Sequence, residues 1–126
     1  MTCPGTIIKE ADRILKEGTK YDEDKVRLDL LPMRALTEVG KVLTLGAKKY
    51  EEHNWTKGMK WSRLIGASLR HIFAFSVGED KDPETGLSHL SHAACDILFL
   101  LEYTFSRTNF DDRFKLENDN AQTITK

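Results

Sequence analysis

The sequence predicts an all-α domain, and three observations predict it. Apolar residues recur at spacings of three and four after Pro32, after Ser62 and again from about His89. No stretch alternates apolar and polar residues as a half-buried strand would, and no internal repeat or low-complexity tract interrupts the chain. Proline and glycine stand at the edges of the periodic stretches, as at Pro32, Gly58, Gly78 and Gly86, rather than within a strand-like pattern.

Residues 1–30 mix charges with few apolar positions, and the polar run Lys20–Lys25 would not bury itself, so this segment reads as an arm ordered by docking. A first helix follows Pro32, a residue at home in a first turn, with Leu36, Val39, Leu43, Ala47 and Tyr50 on one stripe. Glu51 to Gly58 is then a polar loop around the single aromatic Trp55. Ser62 is the expected N-cap of a second helix carrying Leu64, Ile65, Leu69, Ile72, Phe73 and Val77, with Gly78 as its stop. Asp82-Pro83 reads as a further cap with a first-turn proline, Thr85-Gly86 breaks the chain, and a third helix runs from His89 to Tyr103. The bundle therefore spans 31–108, and the polar tail 109–126 is expected to fray.

Composition excludes several function classes. Nineteen Lys and Arg against twenty Asp and Glu leave a net charge of −1, so the chain has no overall basic field for nucleic acid. Cys3 and Cys95 lie far apart in unlike contexts, the second within an apolar run, which reads as a reduced core thiol and a cytoplasmic setting. No signal-like segment opens the chain, and Ile97–Leu101 is too short to span a bilayer, so no membrane partner is expected. At 126 residues the core is modest, which favours association of several copies.

Acids and imidazoles cluster on sequence that otherwise forms core, and burying such groups is costly unless they meet a metal, an anionic ligand or each other. On the third helix His89, His92 and Asp96 share one stripe at i, i+3 and i+7; the stripe is either a ligand-facing surface or a solvated polar face. Glu79 and Asp82, at i, i+3 beside a turn, could both reach one hard cation or simply end a helix in solvent, and Glu38 borders the stripe of the first helix. Arg70 and His71 sit mid-helix among Leu69, Ile72 and Phe73, where a cation needs an anion, although His71 alone also suits a satisfied core histidine. Lys48, Lys49, Lys57, Lys60 and Arg63 bracket the Asn54-Trp55 loop. They suit a nucleotide, with cations for phosphates, an indole for stacking and an amide for a base edge; Trp55 could instead plug the end of the bundle.

These motifs resemble a known family, the phage-type dATP/dGTP diphosphohydrolases of the MazG-like, all-α nucleotide pyrophosphohydrolase group. The likeness runs through Lys25-x-Arg27-x-Asp29-Leu30-Leu31-Pro32, Gly46-Ala47-Lys48-Lys49-Tyr50, Asn54-Trp55-x-Lys57-Gly58 and Arg70-His71. It continues through Gly78-Glu79-x-x-Asp82-x-Glu84-Thr85-Gly86-x-x-His89-Leu90-x-His92-Ala93-Ala94, so that it covers residues 20–103. The resemblance implies a MazG-like helical bundle, assembled as a homo-oligomer (dimer or tetramer), that converts a purine deoxynucleoside triphosphate, dGTP before dATP, to the monophosphate and pyrophosphate. Relatives in phages that replace adenine with 2-aminoadenine make dGMP as the precursor of that base. One departure stands out. The broader group carries ExxE and ExxD pairs on helices, whereas here Glu79/Asp82 would form the first and Ala93 occupies an acid position of the second, leaving Asp96 with Glu38 or His92 to complete the set.

Under that reading two or three Mg²⁺ or Mn²⁺ ions would be held by Glu38, Glu79, Asp82 and Asp96 with His92, polarising phosphate oxygens and activating a water for attack on the α-phosphorus. Lys48, Lys49, Asn54, Trp55, Lys57, Arg70, His71 and His89 would contact the substrate. Two rival readings remain: an HD-type metal phosphohydrolase, although the His-Asp dipeptide is absent, and a non-catalytic helical nucleotide-binding or regulatory module. A structural zinc at His89/His92 lacks paired cysteines to complete it.

Overall fold

A computed structural model describes residues 16–117, and the chain divides at Leu31/Pro32 into two units. The first unit holds one 3₁₀ turn, Leu28–Leu30, stabilised by a fork in which Arg27 Nε and a terminal nitrogen donate to the two Asp29 carboxylate oxygens at 2.9 and 2.7 Å. Cys3 lies outside the described residues.

The second unit is built on three α-helices: α1 (Met33–Lys49), α2 (Trp61–Ser76) and α3 (His89–Ser106). Among the described residues there is no strand, only an isolated bridge between Lys81 and Ser88, so the expected all-α class holds. None of these helices is long and apolar enough to cross a membrane. The ends of α1 fall where the periodicity put them: Pro32 occupies the N-cap and the Tyr50 N–H closes the last turn on the Gly46 carbonyl.

The start of α2 differs from expectation. Lys60, not Ser62, occupies the N-cap position and offers no side-chain acceptor. Its role passes to Asp112, whose carboxylate accepts the Ser62 N–H at 2.8 Å and the Ser62 hydroxyl at 2.5 Å. A capping partner fifty residues away leaves no local signal. The C-terminus of α2 follows its sequence: the Gly78 N–H donates to Phe75 and the Glu79 N–H to Ala74, both at 3.0 Å, with Gly78 at φ +101°. This crossed pair needs a left-handed residue just past the helix, which glycine adopts without strain.

Asp82-Pro83 starts no helix. Residues 82–87 instead make a tight turn, with Asp82 N–H donating to Leu87 (2.8 Å), Gly86 N–H donating to Asp82 (2.7 Å) and the Glu84 N–H held by the Asp82 side chain (2.8 Å). Asp before Pro serves a turn as readily as a cap, and the side-chain bond to a backbone N–H two residues on decides between them. The cap of α3 is Ser88, whose hydroxyl accepts the Leu90 N–H at 3.1 Å.

The α3 helix packs chiefly on α2 and also on α1. Its C-terminal half builds the core with Trp61, Leu64 and the fully enclosed Tyr103, surrounded by Trp55, Phe99, Leu100 and Phe110. The tail therefore returns to the bundle before it leaves: Phe110 joins the core, and the Trp61 indole N–H donates to the Arg107 carbonyl at 3.1 Å. Residues 118–126 lie outside the description.

Candidate functional site

Two features of the second unit gather groups with chemistry. The first forms where α2 ends and α3 begins. His71 on α2 and His89, the first residue of α3, meet with their Nδ1 atoms 2.9 Å apart, and an Asp82 carboxylate oxygen lies 3.8 Å from His71 Nδ1. The tight turn at 82–87 is what carries Asp82 back to the two rings. On its far side the His89 ring places Nε2 2.7 Å from a Glu79 oxygen.

That contact assigns the protons. A carboxylate only accepts, so in its neutral form the His89 ring carries its hydrogen on Nε2, leaving its Nδ1 lone pair to accept from His71 Nδ1–H. His92 lies flat against His71, with ring centres 4.7 Å apart and planes 10° from parallel, and its Nε2 is 2.7 Å from the Thr85 hydroxyl. His71 and His92 are both held below the usual imidazole range. Burial is the main cause for each, with the neighbouring imidazoles adding to it and Asp82 opposing. The cluster is thus rich in neutral ring nitrogens. Among the described residues, His71, Asp82 and His89 are the three whose donor atoms all lie within 4.8 Å of one another.

The second feature is a cleft of about 530 Å³ between α1, the Asn54–Lys57 turn and α3. Asn54, Trp55, Lys57, Arg63, Glu51 and Asp96 all line it. Phe99 backs one face of the Trp55 indole, with centres 5.2 Å apart and planes 13° from parallel, and the Tyr103 hydroxyl donates to the Trp55 carbonyl at 2.6 Å. Trp55 thus packs on the core, as a plug of the bundle end would, and also lines the cleft. Burial raises the Asp96 carboxyl to about 6, with the Arg70 charge pulling the other way. The adjacent Cys95 thiol is pushed up to about 12 by burial and by Asp96, which leaves it inert as a nucleophile.

The expected metal ligands fall in three places. Glu79, Asp82 and His92 come together with His71 and His89, the two histidines expected to contact substrate. Asp96 lies on the cleft; it follows His89 by two turns of α3, about 10 Å along the axis. Glu38 pairs with Lys41 at 2.8 Å and takes part in neither feature. Of the cations, Lys57 and Arg63 line the cleft, Lys57 in contact with Glu51. Lys48 and Lys49 do not; Lys49 lies over the Tyr50 ring and 3.8 Å from Glu84. Arg70 folds back along α2 over Gly66, where a Cβ would come 3.2 Å from its guanidinium. Glu51 and Thr85 are not among the site residues expected from the sequence, since a loop acid and a turn threonine carry no periodic signal.

Comparison with known proteins bears on both features. Residues 16–113 match the family described as dATP/dGTP diphosphohydrolase, N-terminal. The chain belongs to that family. A relative in Salmonella phage PMBT28, named dATP/dGTP diphosphohydrolase, is 40% identical over 96 residues, which are 76% of this chain and 33% of the relative. The chain thus spans about a third of that relative's length. No solved structure matches it. The span shared with the dATP/dGTP diphosphohydrolase N-terminal family takes in the cleft, the histidine cluster and Asp112, the cap of α2.

Proposed function

We propose that this chain hydrolyses a purine deoxynucleoside triphosphate, dGTP in preference to dATP, to the monophosphate and pyrophosphate, with Mg²⁺ or Mn²⁺ as cofactor. In a phage that builds 2-aminoadenine into its DNA, the dGMP formed would feed synthesis of that base. The observation that carries the reading is the cleft, which sets an indole and an amide beside two cations and a carboxylate of raised pKa. The name of the phage relative supports the substrate class.

Each group has a part. Trp55, backed by Phe99, offers a stacking surface for a purine, and Asn54 offers donor and acceptor for its edge. Lys57 and Arg63 meet phosphate oxygens and neutralise charge that builds on departing pyrophosphate. Asp96, ionised at neutral pH yet more basic than an ordinary carboxylate, can take the proton of the water attacking the α-phosphorus. Glu51 and Asp96 are the carboxylates that line the cleft; they would hold a hard cation, which would supply charge neutralisation and a more acidic water. Cys95 plays no covalent part.

The test is to incubate the protein with each of the eight common ribo- and deoxynucleoside triphosphates, with Mg²⁺, Mn²⁺ or EDTA, and to resolve the products by ion exchange. Metal-dependent conversion of dGTP, and more slowly dATP, directly to monophosphate is the expected result. Release of nucleoside plus triphosphate, or no turnover with any of the eight, overturns the proposal.

A further inference from the structure

The geometry points to a second metal site of different chemistry: His71, His89 and Asp82 form a binding site for one divalent first-row transition ion such as Co²⁺ or Zn²⁺, with Glu79 as the outer partner that orients His89. It goes beyond the nucleotide reading, because binding there is measured with no nucleotide present.

Four observations carry it. The donors are two imidazoles and one carboxylate, a set that suits transition ions, whereas Mg²⁺ and Ca²⁺ favour all-oxygen surroundings. Metal–nitrogen bonds of about 2.1 Å place neighbouring ligand atoms roughly 3.0–3.4 Å apart, by the right angle of an octahedron or the wider angle of a tetrahedron. The two Nδ1 atoms stand 2.9 Å apart, Asp82 lies 3.8 Å from His71 Nδ1, and all three donors lie within 4.8 Å of one another, so closing the carboxylate in by about an ångström brings them onto one ion.

The far nitrogen of His89 meets Glu79 at 2.7 Å. A ligating histidine held in its tautomer by an outer carboxylate is a recurring second-shell arrangement of metal sites. Here it leaves the His89 Nδ1 lone pair aimed at the cluster, where it accepts from His71, and binding has to displace the hydrogen on His71 Nδ1 to Nε2 or to solvent. Burial points the same way: His89 is 5% exposed and the Asp82 side chain 16%, so the donors are collected in a half-enclosed place rather than scattered over a surface. The three ligands come from α2, the 82–87 turn and the start of α3, so an ion here fastens the connection between the two helices.

The test is titration of metal-free protein with Co²⁺, followed by its visible absorption, and with Zn²⁺ by calorimetry in excess Mg²⁺. One ion per chain is expected, retained against Mg²⁺ and accompanied by a rise in melting temperature. His71→Gln and His89→Gln should each abolish the one-ion isotherm. Glu79→Gln should weaken it about 10- to 100-fold with the stoichiometry kept, and Asp96→Asn should leave it unchanged. Should the histidine variants fail to fold, X-ray absorption of the Zn²⁺-loaded natural chain decides instead, with two imidazole ligands expected. Binding that ignores both histidine substitutions, a zinc spectrum without imidazole, or no binding in the presence of Mg²⁺ overturns the site.

Discussion

At the scale of single residues, the role proposed for Asp96 sets stability against function in one side chain. Its carboxyl titrates at about 6 rather than the ordinary 3.8 because folding half-buries it, with only Arg70 to help the charged form. Between those two values the folded state holds more protons than the unfolded chain, so stability falls as pH rises through this window, and above it the destabilisation is fully in place. Asp96→Asn should therefore raise the melting temperature at pH 7.5 in EDTA and flatten its dependence between pH 4 and 6, while lowering turnover of the nucleotide by 10²-fold or more. A melting temperature that falls on substitution would show that the charged carboxylate stabilises the fold instead. The sequence made Asp96 a candidate through its flanks Cys95, Ile97 and Leu98, and the structure places it half-buried on the cleft, while Glu79 and Asp82 meet His89 and His71.

At the scale of elements, the turns and ends decide what the helices present. Gly58 closes the Asn54–Lys57 turn at φ +94°, and a Cβ there would come 2.6 Å from the Phe110 ring. Gly58→Ala meets both a left-handed backbone and a clash, and is expected to cost about 1–3 kcal/mol, read from urea unfolding. The loss should exceed that of Gly40→Ala on α1, where open space surrounds the glycine and alanine favours the helix. Helix existence and the ends at Tyr50 and Gly78 were legible because they rest on local periodicity and local backbone chemistry. The caps of α2 and α3 were less so. Asp112 reaches Ser62 from the far end of the chain, and Asp82 turns the backbone where a helix start seemed to stand.

At the scale of the whole second unit, the enclosed core is small for the apolar content of its helices. On α2, Leu69 and Phe73 are 58% and 69% exposed, and on α3, Leu101 and Phe105 are 54% and 78% exposed. Exposed apolar side chains at i, i+4 on each of these helices are the material of an association surface. We propose that copies of this chain pair through these faces as a homo-oligomer. Light scattering coupled to gel filtration should give the mass of a dimer or tetramer, and Phe73→Asp should lower it to a monomer with the helical circular dichroism unchanged. A monomeric natural chain would instead assign these faces to another partner, such as the further length that the phage relative possesses.

By itself the sequence determined the class of the fold, the approximate span of its three helices and which acids and imidazoles are candidates for chemistry, because helical periodicity and the cost of burying such groups are written in local order. Residue chemistry brought Arg70-His71, His89-x-x-His92 and the Asn54-Trp55 loop to attention and suggested a nucleotide, and the family motifs added the reaction. Only the tertiary structure decided which of these residues meet. His71 and His89 are eighteen positions apart yet share a hydrogen bond, since the turn at 82–87 folds α3 back on α2. Asp96 shares a helical stripe with His89 yet lines the cleft together with Trp55, two turns of α3 further on. Such partnerships depend on how the connections between helices close in space, and no spacing along a chain encodes that by itself.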